Sequence, residues 1–164
     1  MSRPPETSIL FVCLGNICRS PMAAGILRSL AATSVRPIRI ESAGVGPWHV
    51  GKPPDGRAIA AAQRHGIDLT GERAQMIAEV DYRSYDMILA MDRSVLANVL
   101  QRAPADATAR IGLFRQVAED VDADVDDPYT GPEDDFETCF VEIEAAAKTL
   151  YARLLEPTPE GSDG

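Results

Sequence analysis

Cysteine is scarce: the chain of 164 residues carries three. So small and odd a set offers no disulfide framework and points to a reducing, cytoplasmic setting. Histidine is scarcer, with two. Cys13 and Cys18 therefore find no second Cys/His pair to complete a zinc site, and no metal or other cofactor is expected. No apolar run is long enough to span a bilayer. The polar stretch Met1–Thr7, followed by only a short apolar run, lacks the form of a secretory signal. Positive charge is in deficit, with 16 Lys and Arg against 25 Asp and Glu and a net charge of −9. That balance argues against nucleic acid and against an anionic membrane surface as partners. There is no internal repeat. No Gly-Lys-Ser/Thr follows Gly15, which excludes a nucleotide P-loop.

What the chain does have is Cys13-Leu-Gly-Asn-Ile-Cys-Arg19-Ser20, between the apolar run Ile9–Val12 and Pro21-Met-Ala-Ala24. Ile9–Val12 reads as a buried parallel strand. Ser20 reads as a helix N-cap and Pro21 as the first helical residue, where a missing N–H costs little. A strand–loop–helix turn of this kind can aim backbone N–H groups and a helix N-terminus at an anion. Gly15 permits unusual dihedrals and close approach, and Asn16 tolerates the left-handed region. A thiol acts as nucleophile only as thiolate, and thiols beside an arginine at a helix N-terminus ionise at roughly pH 3.5–7.5. Arg19 offers a planar fork for two phosphate oxygens. Ser20 can donate a hydrogen bond to the sulfur.

Phosphoryl transfer from an aryl ester also needs an acid for the leaving oxygen. The stretch Glu119–Asp135 is rich in acids, including Asp120, Asp122, Asp124, Asp126, Asp127, Glu133 and Asp134. Most read as solvated loop carboxylates. Asp127 stands only modestly above Asp126, because the following Pro128 restricts its backbone and Tyr129 could stack on an aromatic ring.

With these motifs in view, the chain resembles the low-molecular-weight protein tyrosine phosphatases from Ile9 to about Leu155. The matching stretches are Val12–Pro21, Ser42-Ala-Gly44, Trp48-His-Val-Gly51, His65-Gly-Ile67, Asp86–Asp92, Asp127-Pro-Tyr129 and Asp135-Phe-Glu137. The resemblance implies that Cys13 becomes phosphocysteine, that Arg19 binds phosphate, and that Asp127 is general acid and then base. Leu14, Gly15 and Ile17 fall in the phosphate loop. Asn16, Ser20 and Ser42 match its supporting hydrogen-bond network. Cys18 matches a partner for a reversible disulfide with Cys13, and Trp48 and Tyr129 match pocket walls. Thr130, Gln75-Met76 and Val45 depart from frequent family residues and read as substrate tuning or neutral change. The implied partners are phosphotyrosine proteins, met by a monomer or weakly self-associating chain.

Three other functions share parts of this pattern. An arsenate reductase of the same fold relays electrons through two further late cysteines, and only Cys139 follows Cys18. Protein arginine phosphatases resemble this chain but carry threonine at the position of Ile17, whose branched side chain should crowd a guanidinium and suit a flat phenyl ring. A phosphotyrosine-binding module with dead chemistry is opposed by Cys13, Arg19, Ser20 and Asp127 occurring together.

The coarse pattern is alternating. Strands are predicted over 8–13, 36–41, 86–91 and 110–113. Helices are predicted over 21–32, from an Asp55 cap to His65, over 93–101 and over 134–155, with a Gly/Pro loop at 44–54 on the site's rim. His65 is expected to satisfy helix-end carbonyls, and Cys139 to be a packed core thiol. One α/β domain over residues 1–155 follows: a doubly wound, four-stranded parallel sheet, flavodoxin-like, with helices on both faces, the phosphate-binding loop after the first strand, and a flexible tail at 156–164.

Overall fold

In the computed structural model, which describes residues 7–155, strands and helices alternate. They are β1 (Thr7–Cys13), α1 (Arg19–Ala31), β2 (Ile38–Gly44), α2 (Gly56–Arg64), α3 (Asp81–Ser84), β3 (Met87–Ala90), α4 (Arg93–Arg102), β4 (Arg110–Leu113), α5 (Phe114–Glu119) and α6 (Glu133–Leu155). The strands form one parallel sheet in the order β2-β1-β3-β4, the flavodoxin-like winding expected from the alternation. β1 lies inside the sheet and is covered on both faces, which is why its residues are apolar in succession. Ile9, Phe11 and Cys13 enter the core layer that includes side chains of α1, α2, α5 and α6, while Leu10 and Val12 enter a second layer with Tyr82, Val95 and Val99. Phe11 meets Phe114 edge-on, with ring centroids 5.4 Å apart. The neighbours of β1 lie on opposite sides of it, so the winding switches there and a crevice opens beyond its carboxyl end. Cys13 is the last residue of β1, in register with Gly44.

Several boundaries differ from the sequence expectation. β2 runs to Gly44 rather than stopping at Glu41, because Ser42, Ala43 and Gly44 pair with Phe11, Val12 and Cys13. Pairing with a buried strand overrides their weak strand preference. α1 starts at Arg19, with Cys18 in the capping position and no side-chain cap. Ser20 is therefore not the N-cap, and Pro21 is the third helical residue, where an N–H has no intrahelical acceptor in any case. The Ser20 hydroxyl is engaged elsewhere, as described below. The short helices α3 and α5 were too brief to leave a periodic signal. His65 does not use its ring on carbonyls. Its Nε2 lies 2.6 Å from Glu137 Oε2, and the ring stacks on Phe140 at 4.3 Å, joining α2 to α6. The tail expected at 156–164 lies outside the described residues.

Cys139 packs in the core from α6, as expected. Burial pushes its thiol up to about 12 from the ordinary 9.0. The folded state therefore keeps this proton after the unfolded chain has lost it, and the stabilisation, complete below about pH 9, fades as pH rises toward 12. Urea unfolding at pH 7 to 10.5 is expected to show stability falling above pH 9 on the order of 1 kcal/mol per pH unit more steeply in the wild type than in Cys139→Ala. Identical slopes would remove the thiol from the account.

Candidate active site

The loop after β1 is held open from behind by its own carbonyls. Cys13 O accepts from Val45 N at 3.1 Å, Leu14 O from Gly46 N at 3.0 Å and Ile17 O from Asp55 N at 2.9 Å. In a trans peptide the next N–H points opposite to the carbonyl, so the amides of Leu14, Gly15 and Cys18 turn away from the scaffold, toward the pocket these residues line. Asn16 is left-handed, with φ 61°. Its side chain repays that conformation: Nδ2 donates to Ser20 Oγ and to Ser42 Oγ, each at 2.8 Å, and Oδ1 accepts from Gln75 N at 2.9 Å. Gly15 does not use positive φ. It is small because the His49 ring sits beside it, 2.9 Å from where a Cβ would be. Gly44 is small for a stricter reason, since its Cβ would meet the backbone of Gly15 and Asn16 at 2.9 and 3.0 Å.

Ser20 Oγ lies 3.0 Å from Cys13 Sγ. It already receives a proton from Asn16, so its own proton is available to the sulfur, with Ala43 O at 3.4 Å as the alternative acceptor. A thiolate can only accept, which makes Ser20 its donor. Cys18 is buried nearby, and burial, reinforced by the negative field of Cys13, pushes its thiol well above the ordinary range. All three cysteines are free.

Arg19 is 2% exposed. A buried cation needs partners, and its Nη1 finds two: Asp92 Oδ2 at 2.6 Å and Val125 O at 2.8 Å. Burial opposes the charge, but Cys13, Asp92 and Asp127 outweigh it and the guanidinium pKa is raised. Nη2 faces Asp127 Oδ2 at 3.5 Å. Asp127 is itself steadied by the Tyr129 amide, which donates to its Oδ1 at 3.0 Å. Cys13, Arg19 and Asp127 thus line one pocket, together with Leu14, Gly15, Ile17, Cys18, Trp48, His49 and Tyr129. Trp48 folds back over Gly46, whose missing side chain leaves room for the ring. Asp126, adjacent in sequence, does not line this pocket; it borders an acidic cavity with Asp135 and Glu142 whose wall Asp127 shares. Among the described residues no group of three His, Cys, Asp or Glu side chains could hold a metal ion, and no helix is long and apolar enough to cross a membrane.

Residues 8–159 match the family model described as low molecular weight phosphotyrosine protein phosphatase. The chain belongs to that family. It is 40% identical over 139 residues to the low molecular weight phosphotyrosine protein phosphatase of Schizosaccharomyces pombe, covering 82% of this chain and 88% of that one. It is 40% identical over 151 residues to the low molecular weight protein-tyrosine-phosphatase YfkJ of Bacillus subtilis, covering 90% and 95%. The crystal structure of YfkJ superposes with a TM-score of 0.82 over 93% of this chain and 97% of that one. A Drosophila arginine phosphatase superposes with a TM-score of 0.84 at 29% identity, over 92% and 99%.

Two residues at the site of this family member, Asp92 and Gln75, do more than sequence reasoning assigned them. Asp92 was visible only as part of an apolar motif, yet it pairs with Arg19 and also caps α4, accepting from Val95 N at 2.8 Å. Gln75 was read as substrate tuning or neutral change, but its backbone amide holds Asn16 and its Nε2 donates to Ser42 O at 2.9 Å. The first contact is made by backbone, so any residue supplies it. The second belongs to this side chain. His49 lines the pocket beside Tyr129, ring centroids 6.5 Å apart.

Removing Asp92 leaves a buried cation short of its counter-ion. Asp92→Asn is expected to cost about 3 kcal/mol of stability, and Asp92→Ala about 1 kcal/mol more through the lost cap. Inorganic phosphate, offering Arg19 another anion, is expected to raise the melting temperature of Asp92→Asn more than that of the wild type. Equal shifts in thermal melts would contradict this.

Proposed function

We propose that the protein is a protein tyrosine phosphatase that hydrolyses phosphotyrosine in two steps. The Cys13 thiolate attacks phosphorus in line. The bond from phosphorus to the phenolic oxygen breaks, and Asp127 gives that oxygen its proton, leaving phosphocysteine. Asp127, now a carboxylate, takes a proton from a water that attacks the phosphocysteine. Inorganic phosphate leaves, the thiolate returns and Asp127 is again protonated. Arg19 presents its Nη2 edge to the equatorial oxygens while Nη1 stays tied to Asp92 and Val125. Ser20 donates to the sulfur both as nucleophile and as leaving group. The observation that carries this reading is the meeting of Cys13, Arg19 and Asp127 in one pocket walled by Trp48 and Tyr129.

Ile17, 9% exposed and lining the pocket, favours a flat phenyl ring over a guanidinium. Phosphoarginine is therefore the discriminating second substrate, given the likeness to an arginine phosphatase. Missing relay cysteines disfavour arsenate reduction. The natural substrates are phosphotyrosine proteins, and three free thiols suit a reducing cytoplasm. Cys18 serves as redox guard of Cys13.

On equal concentrations of phosphotyrosine, phosphoarginine and phosphoserine peptides, the wild type is expected to hydrolyse phosphotyrosine fastest and Cys13→Ser none of them. Full activity in Cys13→Ser overturns the mechanism. Asp127→Ala is expected to lose about 10²-fold or more on a tyrosyl leaving group and markedly less on p-nitrophenyl phosphate, which needs less protonation. Equal losses would move the acid role elsewhere. Peroxide inactivation of the wild type is expected to reverse with a thiol reductant, because a Cys13–Cys18 disulfide blocks overoxidation. Equal recovery in Cys18→Ser would remove the guard.

A further inference from the structure

Arg57, in the first turn of α2, grips the segment after Asp127 from behind. Its Nη2 donates to Tyr129 O at 2.9 Å and its Nη1 to Gly131 O at 3.4 Å. The guanidinium carbon lies 4.4 Å from the Phe136 ring centroid and 5.7 Å from that of Tyr129. Asp55, the cap of α2, holds the same guanidinium by Nε and Nη2, both at 3.0 Å. The Asp55 amide in turn donates to Ile17 O at 2.9 Å. A continuous chain of contacts, Ile17 to Asp55 to Arg57 to Tyr129 and Gly131, therefore spans from the nucleophile loop to the Asp127 loop.

The other side of the Asp127 loop is tied independently. Arg93 holds Asp122 and Asp124 at 2.6 and 3.2 Å, and Val125 N donates to Met91 O at 2.8 Å. Asp127 sits between the two anchorages. Among the described residues, Arg57 supplies the side-chain nitrogen donors to the carbonyls that follow it. Arg57 does not line the pocket. With the guanidinium 36% exposed, the Arg57–Asp55 ion pair adds little to stability. As a fork on two carbonyls packed on an aromatic ring, it fixes position.

We infer that Arg57 is a positioning residue for the general acid, setting the reach of Asp127 toward the leaving oxygen above Cys13; this rests on the phosphatase reading above. Proton transfer needs heavy atoms within about 2.6–3.2 Å, and a misplacement of about 1 Å can cost on the order of 10²-fold.

The test is a series of aryl phosphates of rising leaving-group pKa, from p-nitrophenyl to tyrosyl. It is run with the full chain as wild type, Arg57→Ala, Arg57→Lys, Asp127→Ala and the Arg57→Ala/Asp127→Ala double variant, each with a thermal melt. Arg57→Ala is expected to lower kcat/KM about tenfold on the tyrosyl ester and about twofold or less on p-nitrophenyl phosphate, steepening the leaving-group dependence. Arg57→Lys falls between, since an ammonium lacks the fork. In the Asp127→Ala background, Arg57→Ala adds no further steepening. Losses equal across the series, or the same added steepening without Asp127, overturn the inference. If Arg57→Ala does not fold, the Arg57→Lys series decides by the same criterion. A wild type inactive on every ester instead sinks the phosphatase reading itself, and the positioning role with it.

Discussion

The guanidinium of Arg19 lies almost out of reach of water, and the site is arranged around keeping it there. An isolated cation at such a position is too costly to persist. Asp92 arrives from the end of β3 and the Val125 carbonyl from the segment before Asp127, both on Nη1. The start of α1, the start of α4 and the Asp127 loop are thereby drawn to one atom. Because Asp92 also caps α4 with its other oxygen, the helix start and the arginine position are set together. The remaining edge of the guanidinium faces Asp127 and the pocket.

Around Cys13 the support is different in kind. Asn16, Ser20 and Ser42 are neutral, buried and joined by hydrogen bonds, and they hold a left-handed residue that an unsupported loop would not keep. Close backbone contact between Gly44 and the loop completes the cradle. A neutral scaffold leaves the field at the sulfur to Arg19 and to the amides of the helix start. Rigidity and electrostatics are thus divided between separate sets of side chains. The acidic surface of the protein, net −9, does not enter the pocket except through Asp127, which is the carboxyl the proposed chemistry uses.

The alternation of apolar strands and helices made the sheet legible, since β1 must be buried on both faces to carry four apolar residues in succession. Element ends were less legible. β2 was expected to stop at Glu41 because Ser42-Ala-Gly44 has no strand character, and only its partner strand extends it. Ser20 looked like a cap because serine favours that position and Pro21 suits the first helical residue. Its hydroxyl is instead committed to Cys13 and Asn16. Asp92 and Gln75 were hidden for a shared reason: their work is done on residues 73 and 59 positions away, and no local spacing reports such contacts.

By itself the sequence determined the family, the parallel α/β winding and the loop that carries Cys13 and Arg19. Those follow from a contiguous motif and from burial patterns written along single elements. Only the tertiary structure decided which of two adjacent acids joins Cys13 and Arg19 in one pocket. Asp126 and Asp127 are nearly equivalent as sequence; both border the acidic cavity beside Glu142, and of the two only Asp127 also lines the Cys13 pocket and faces Arg19. The same holds for Arg57 and Asp92, whose roles exist only once distant segments are packed. Covalent neighbours and periodicity are encoded locally, whereas the position of a carboxyl or a guanidinium depends on the backbone anchors that hold its loop.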